Sequence, residues 1–196
     1  MENLTDYLKE ERSQEWRDQI RKSMKTKERT TRERVDMPEE DPNIRNKSNL
    51  EVNRGLEEEL AVLEAQRCID CANPTCMEGC PVWIYIPKFI KKIETRDFLG
   101  VAQVLKETNG LPAVCGRVCP QEKQCEASCF YTLKLKKPAV AIGHLERFAA
   151  DYARNSGKAS VPEVGESNGI KVGVVGSGPA GLAAAGDLAR LGSQGP

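Results

Sequence analysis

Eight cysteines carry most of the chemistry legible in this sequence. They form two groups, Cys68-x2-Cys71-x4-Cys76-x3-Cys80-Pro81 and Cys115-x3-Cys119-Pro120 followed by Cys125 and Cys129. A structural zinc site usually takes two Cys-x2-Cys knuckles some 12 to 20 residues apart, and only one such knuckle is present here. Ferredoxin-like sequences instead bring three ligands close together and add a cysteine followed by proline that serves the other cluster of a pair. Cys80-Pro81 and Cys119-Pro120 follow that habit. The spacing therefore reads as iron–sulfur, with zinc as the alternative and disulfides or inert thiols behind both. Spacing alone would group Cys115 with Cys119, Cys125 and Cys129. Soft thiolates suit an iron–sulfide cube, and loops wrapped around it aim backbone N–H groups at the sulfurs.

A second motif lies near the end of the chain. Lys171 to Val175 reads as a strand running into Gly176-Ser177-Gly178-Pro179-Ala180-Gly181 and then the helix LAAAGDLARL. Between strand and helix this pattern is a dinucleotide fingerprint. Gly176 makes the tight turn, Gly178 lets the backbone approach a pyrophosphate, and Gly181 lets helix and strand pack closely. The acidic residue that binds the ribose would fall about 20 residues further on, beyond Pro196.

Glu146 is the third candidate, because it falls within the apolar stripe Ile142, Leu145, Ala149 and Tyr152. A buried carboxylate is costly without an arginine, a backbone donor or a metal. Periodicity alone favours a Glu at the edge of the stripe reaching solvent. His144, the lone histidine, lies off the stripe beside Arg147 and Asp151 and reads as solvated.

Helices must position these groups. Leu56, Leu60 and Leu63 predict a helix between Leu50 and Arg67 that delivers the chain to Cys68. Pro87 opens another, with Phe89, Ile90 and Ile93 on one side. Phe98, Val101, Ala102 and Leu105 mark a third that Asn109-Gly110 stops. A further helix spans about Ala139 to Asn155, and Ile170 to Val175 reads as a buried strand. MPEEDPN, residues 37 to 43, reads as a loop because two prolines and an acidic run deny it regular structure. The expected division is a charged helical arm (1–34), a helical cluster domain (35–155), a linker rich in Gly, Ser and Pro (156–169) and the start of a further domain (170–196). The fold class is mainly α.

Lys plus Arg and Asp plus Glu both total 29 in 196 residues, a balance that argues against nucleic acid as a partner. The cysteine-bearing stretch is the most basic, with 10 basic and 7 acidic residues in 68–145 against 10 and 8 in 1–34. Such charge lowers the cost of an anionic metal–thiolate group. No apolar stretch approaches the roughly 18 to 20 residues that cross a bilayer, and the first twenty residues alternate charges where a signal peptide needs an apolar segment. No membrane role and a cytoplasmic location are expected. Arm residues 1–34 read as an exposed helix for a partner or as partly disordered.

CIDCANPTCMEGCP, LPAVCGRVCPQEKQCEASC, AIGHLERF and VGVVGSGPAGLAAA together resemble the small-subunit family of NADPH-dependent glutamate synthase. The same superfamily includes the opening module of dihydropyrimidine dehydrogenase and the large subunit of the electron-bifurcating ferredoxin:NADP transhydrogenase. The resemblance covers about residues 35 to 191. It implies a helical domain with two [4Fe-4S] clusters ahead of Rossmann-like FAD- and NADPH-binding domains. One cluster would take Cys68, Cys71, Cys76 and Cys129. The other would take Cys80, Cys119, Cys125 and Glu146, whose Gly143-His144-Leu145-Glu146 context matches the family, leaving Cys115 spare. It also implies that NADPH reduces FAD and that electrons pass singly through the clusters to an FMN-containing large subunit that makes glutamate. After Gly192 only SQGP follows, so the chain is expected to be a fragment, truncated within the FAD domain and inactive alone. A transhydrogenase subunit or a pyrimidine dehydrogenase reductase subunit is the alternative within the superfamily, and a non-enzymatic zinc-binding docking module the alternative outside it.

Overall fold

A computed structural model describes residues 4–158 and 162–194. Residues 1–3 of the arm, 159–161 of the expected linker, and 195–196 lie outside the described residues. The class is mainly α. Three helices open the chain, α1 (Leu4–Ser13), α2 (Glu15–Ser23) and α3 (Thr26–Thr31), followed by α4 (Pro42–Arg45), α5 (Glu58–Ala65), α6 (Thr75–Glu78), α7 (Ile86–Glu94), α8 (Phe98–Lys106), α9 (Pro112–Val118), α10 (Ile142–Asn155) and α11 (Pro179–Arg190).

The core is built from the faces that periodicity marked. Phe89, Ile90 and Ile93 of α7 meet Val101, Val104 and Leu105 of α8, and α10 covers both with Ile142, Leu145, Phe148 and Ala149. Phe98 stands edge-on to Phe148 and Tyr152, with ring centroids 5.1 and 4.9 Å apart. Such pairs contribute about 0.5–1.5 kcal/mol beyond the area they bury. Asp97 caps α8 by accepting a hydrogen bond from the Gly100 N–H at 3.0 Å.

Four expectations are corrected. The helix expected over 50–67 is confined to Glu58–Ala65, and Leu50 and Leu63 face solvent while Ala61, Val62 and Ala65 are buried. Residues 51–55 instead form an extended strap. The Asn53 carbonyl accepts from Arg147 Nη2 at 2.6 Å and the Glu51 carboxylate pairs with Arg117 at 2.9 Å, while Asn53 bridges to Glu39. In the stretch expected to be a loop, Pro42 takes the first position of the one-turn helix α4, where a missing N–H costs nothing, and Asp41 accepts from the Asn43 N–H at 2.7 Å.

The segment 170–175 forms no ladder. Only an isolated parallel bridge joins Lys171 to Gln194, and Ile170, Val174 and Val175 are exposed. A strand needs a neighbour to satisfy its edges, and none is present among the described residues.

The arm is the largest surprise. Arg17 and Arg29 are only 0 and 2 % exposed, so the arm is docked on its own chain rather than held out for a partner. Arg17 pairs with buried Asp70 and donates to the Tyr85 hydroxyl at 2.9 Å, and Arg21 reaches the other Asp70 oxygen at 2.7 Å. Arg29 grips Glu94 through two nitrogens at 2.9 and 3.0 Å.

Candidate metal centre

The first cysteine loop leaves α5 by a tight turn, in which the Cys68 N–H donates to the Ala65 carbonyl at 3.1 Å. Asp70 sits between Cys68 and Cys71 in the left-handed region (φ 52°), a conformation that aspartate tolerates better than most residues. Its carboxylate is pinned by Arg17 and Arg21, and its carbonyl accepts from Arg12 Nε at 2.9 Å. Cys76 rides on α6, whose Thr75 hydroxyl donates to the Ser128 carbonyl at 2.6 Å and ties this loop to the residue before Cys129. At Gly79 a Cβ would stand 2.7 Å from the Gln124 carbonyl oxygen, so the turn before Cys80 lies directly on the segment leading to Cys125.

The second loop is set by α9, which carries Cys115 and ends at Cys119. Gly116 lies against the α10 backbone, and a Cβ there would come 2.7 Å from the Arg147 nitrogen. That close approach brings Cys115 and Cys119 alongside Glu146.

None of the eight cysteines is in a disulfide; Cys125 and Cys129 are buried and the other six partly so. They interact electrostatically in two sets. Burial pushes Cys71 up to about 12, and the charges that add to this are Cys68, Cys129 and Asp70. Cys76 is also raised by burial, then by Cys68, Cys129 and Cys71, with Cys125 a smaller contributor. On the other side, burial and then Cys115, Glu146 and Cys80 raise Cys119 to about 11. Cys125 is raised to about 12 by burial, Glu126, Cys80 and Glu146. By these couplings Cys129 neighbours Cys68, Cys71 and Cys76, while Cys80 neighbours Cys119 and Cys125, which also neighbour Glu146, and Cys115 lies beside Cys119. Cys80 and Cys129 thus each have neighbours in the group that spacing alone would not give them.

Glu146 turns inward, against the solvent-facing expectation from periodicity. It is 6 % exposed, and burial pushes its carboxyl up to about 7 although Asn109 Nδ2 donates to Oε1 at 2.8 Å. Asn109 read as no more than a helix stop. It is buried, its Oδ1 accepts from the Leu111 N–H at 3.0 Å, and the Cys115 Sγ lies 3.5 Å from the same oxygen. An Asn-Gly pair serves so many turns that no sequence signal separates this role.

His144 is half-buried rather than solvated, its Nδ1 is buried without a hydrogen-bond partner, and desolvation lowers its pKa. Gly176 to Gly181 stand apart from the cysteines at the exposed start of α11, where Gly178 occupies the N-cap and Pro179 the first turn. A Cβ on Gly181 would lie 2.2 Å from the Gly176 oxygen, so the turn has the tightness that the fingerprint requires.

Zinc takes four converging donors, whereas two neighbouring sets of thiols, partly or wholly buried and in no disulfide, suit a pair of iron–sulfur cubes.

The model of the family described as dihydropyrimidine dehydrogenase domain II, 4Fe-4S cluster, matches residues 45–158. The chain belongs to that family. Its relatives are oxidoreductases. It is 41% identical over 160 residues to the glutamate synthase [NADPH] small chain of Escherichia coli, covering 82% of this chain and 34% of that protein. It is 39% identical over 133 residues to the NAD-dependent dihydropyrimidine dehydrogenase subunit PreT of Escherichia coli, covering 68% and 32%. To the glutamate synthase [NADPH] small chain of Azospirillum brasilense it is 34% identical over 159 residues, covering 81% and 33%. The chain thus spans about a third of the length of these curated relatives. In this dihydropyrimidine dehydrogenase domain II family the match takes in all eight cysteines and Glu146 and stops before the glycine turn. Among the described residues no helix is long and apolar enough to cross a membrane.

Replacing Glu146 with Ala is expected to cost the iron-loaded chain up to half its iron, whereas Cys115→Ala should lose little. Cys115 makes one weak sulfur contact with Asn109 and lies beside Cys119, whereas Glu146 offers the second set of thiols a buried carboxylate of the kind the family resemblance places as a ligand. Iron content and the EPR spectrum of the reduced protein check this, and the opposite ranking would return Cys115 to the ligand set.

Proposed function

We propose that this chain is the cluster-bearing, electron-transfer part of an NADPH-dependent glutamate synthase small subunit. Cys68, Cys71, Cys76 and Cys129 would hold one [4Fe-4S] cluster, and Cys80, Cys119, Cys125 and Glu146 the other. The observation that supports this reading is that Cys129 neighbours the first cysteine group while the buried carboxylate of Glu146 neighbours Cys119 and Cys125. When bound, such cubes accept and release single electrons, which connects two-electron flavin chemistry to a distant acceptor.

The chain's own residues supply the holding and the shielding. Cys125, Cys129 and Glu146 lie buried, where water is excluded and a ligand's orientation is fixed. Asn109 aims an N–H at one Glu146 oxygen and leaves the other free to ligate. Gly176 to Gly181 would begin the FAD site, with α11 offering its N-terminus to a phosphate, and NADPH would serve that flavin. The electron acceptor would be an FMN-containing large subunit. Eight unpaired thiols suit a reducing, cytoplasmic setting. Residues 35–155 would form the cluster domain and 170–196 the start of the flavin domain. A reductase subunit of pyrimidine dehydrogenase is the second reading, favoured by the likeness to PreT.

Anaerobic reconstitution of the chain with iron and sulfide tests the proposal. About eight iron atoms per chain are expected, the content of two four-iron cubes. Zinc in their place, or about four irons, would contradict it. The loaded chain should bind FAD negligibly and oxidise no NADPH, since segment 170–175 is exposed and unladdered; stoichiometric FAD would overturn that part.

A further inference from the structure

We infer that Lys91 and Arg29 form a buried cationic pair, shared across one carboxylate, that sets the reduction potential of a cluster held at Cys68. The inference rests on the first ligand set proposed above. Both side chains donate to the carbonyl of Cys68 itself, Lys91 through Nζ and Arg29 through Nη1 at 3.4 Å. Lys91 is 0 % exposed and Arg29 2 %. Glu94 faces both, accepting from Lys91 Nζ at 2.6 Å and from two Arg29 nitrogens at 2.9 and 3.0 Å. Two cations on one anion leave a buried excess of one positive charge.

That excess needs an explanation, because an uncompensated buried cation is costly. The other charges packed around the loop do not supply an anion. Glu64 is spent on Arg67 at 2.6 Å, and Asp70 on Arg17 and Arg21. An iron–sulfur cube on thiolates is anionic, and each electron it accepts makes it more so. A fixed positive charge on the Cys68 carbonyl therefore favours the reduced form. Arg29 comes from the arm, which gives α3 a function that its charge run did not announce. The Arg17 and Arg21 grip on Asp70 holds the same loop from the neighbouring side.

The test is potentiometric, on the full chain loaded anaerobically, with each cluster followed by its own EPR signal. Lys91→Gln removes a cation and Glu94→Gln removes the anion. The first should lower the reduced-to-oxidised ratio of the first cluster at fixed potential about tenfold, which for one electron is about 59 mV, and the second should raise it by a similar factor. The second cluster should stay put in both, and Lys91→Arg should behave as the parent. A merely structural role would move both variants in the same direction, or neither, and either result overturns the inference. Should Lys91→Gln fail to load, the sign for Glu94→Gln decides alone: an upward shift supports the inference and no shift or a downward one overturns it. Failure of the underlying ligand reading would show separately, as a parent chain without a cluster that Cys71→Ala removes.

Discussion

Glu64→Leu should cost the iron-loaded chain about 3–5 kcal/mol, the usual penalty for leaving one member of a buried ion pair alone. Glu64 is 0 % exposed and joins three separate parts of the chain. Its Oε1 accepts from Arg67 Nη1 at 2.6 Å and from the Ala141 N–H at 2.7 Å, and its Oε2 accepts from the Val35 N–H at 2.8 Å. Removing it strands the guanidinium of Arg67, a residue 1 % exposed, with the carbonyls of Ala139, Pro138 and Arg32 and the face of the Tyr131 ring but no anion. It also leaves two backbone donors without an acceptor, each worth roughly 1–3 kcal/mol when buried. The double variant Glu64→Leu/Arg67→Leu should cost less than the two single changes summed, because the stranded charge is gone. Anaerobic urea unfolding of the loaded proteins measures all three. A cost below about 1 kcal/mol for the single change would show that water reaches Arg67.

Gly116→Val should do more selective damage. The new side chain would meet the Arg147 nitrogen at 2.7 Å and its Cα at 2.8 Å, and these are backbone atoms of α10 that cannot swing aside. Overpacking of this kind costs about 1–3 kcal/mol or more. The only relief is for α9 to lift off α10, which carries Cys119 away from Glu146. About half the iron should be lost, all of it from the second set, while the cluster at Cys68, Cys71, Cys76 and Cys129 persists. Iron analysis and EPR of Gly116→Val decide the point, and full iron with both signals intact would show that Cys119 and Glu146 do not share a site.

How much of this was legible beforehand depended on whether the signal was local. The helices α7, α8 and α10 were readable because their apolar residues recur at the helical period and face a core. The cysteine chemistry was readable because ligand spacing is a local property. The Cys-Pro habit already pointed Cys80 toward the other cluster, whereas the place of Cys129 came only from the family resemblance. The contacts that bring these segments together, where the Gly79 turn meets Gln124 and the Thr75 hydroxyl meets Ser128, join parts of the chain far apart in sequence. Leu56, Leu60 and Leu63 overstated a helix because the pull of Arg117 and Arg147 on Glu51 and Asn53 favours an extended strap. Arg17 and Arg29 looked like an ordinary solvated charge run, because their partners Asp70 and Glu94 lie more than fifty residues away. The strand at 170–175 had the right composition, but composition cannot supply the neighbour a strand requires.

The central claim is that the ligand sets cross between the two cysteine groups, and Cys80 tests it most directly. Mössbauer and EPR spectra of the iron-loaded Cys80→Ala chain should be compared with those of Cys119→Ala and Cys71→Ala. The account predicts that Cys80→Ala and Cys119→Ala lose the same cluster, while Cys71→Ala loses the other. Loss of the same cluster in Cys80→Ala and Cys71→Ala would contradict it.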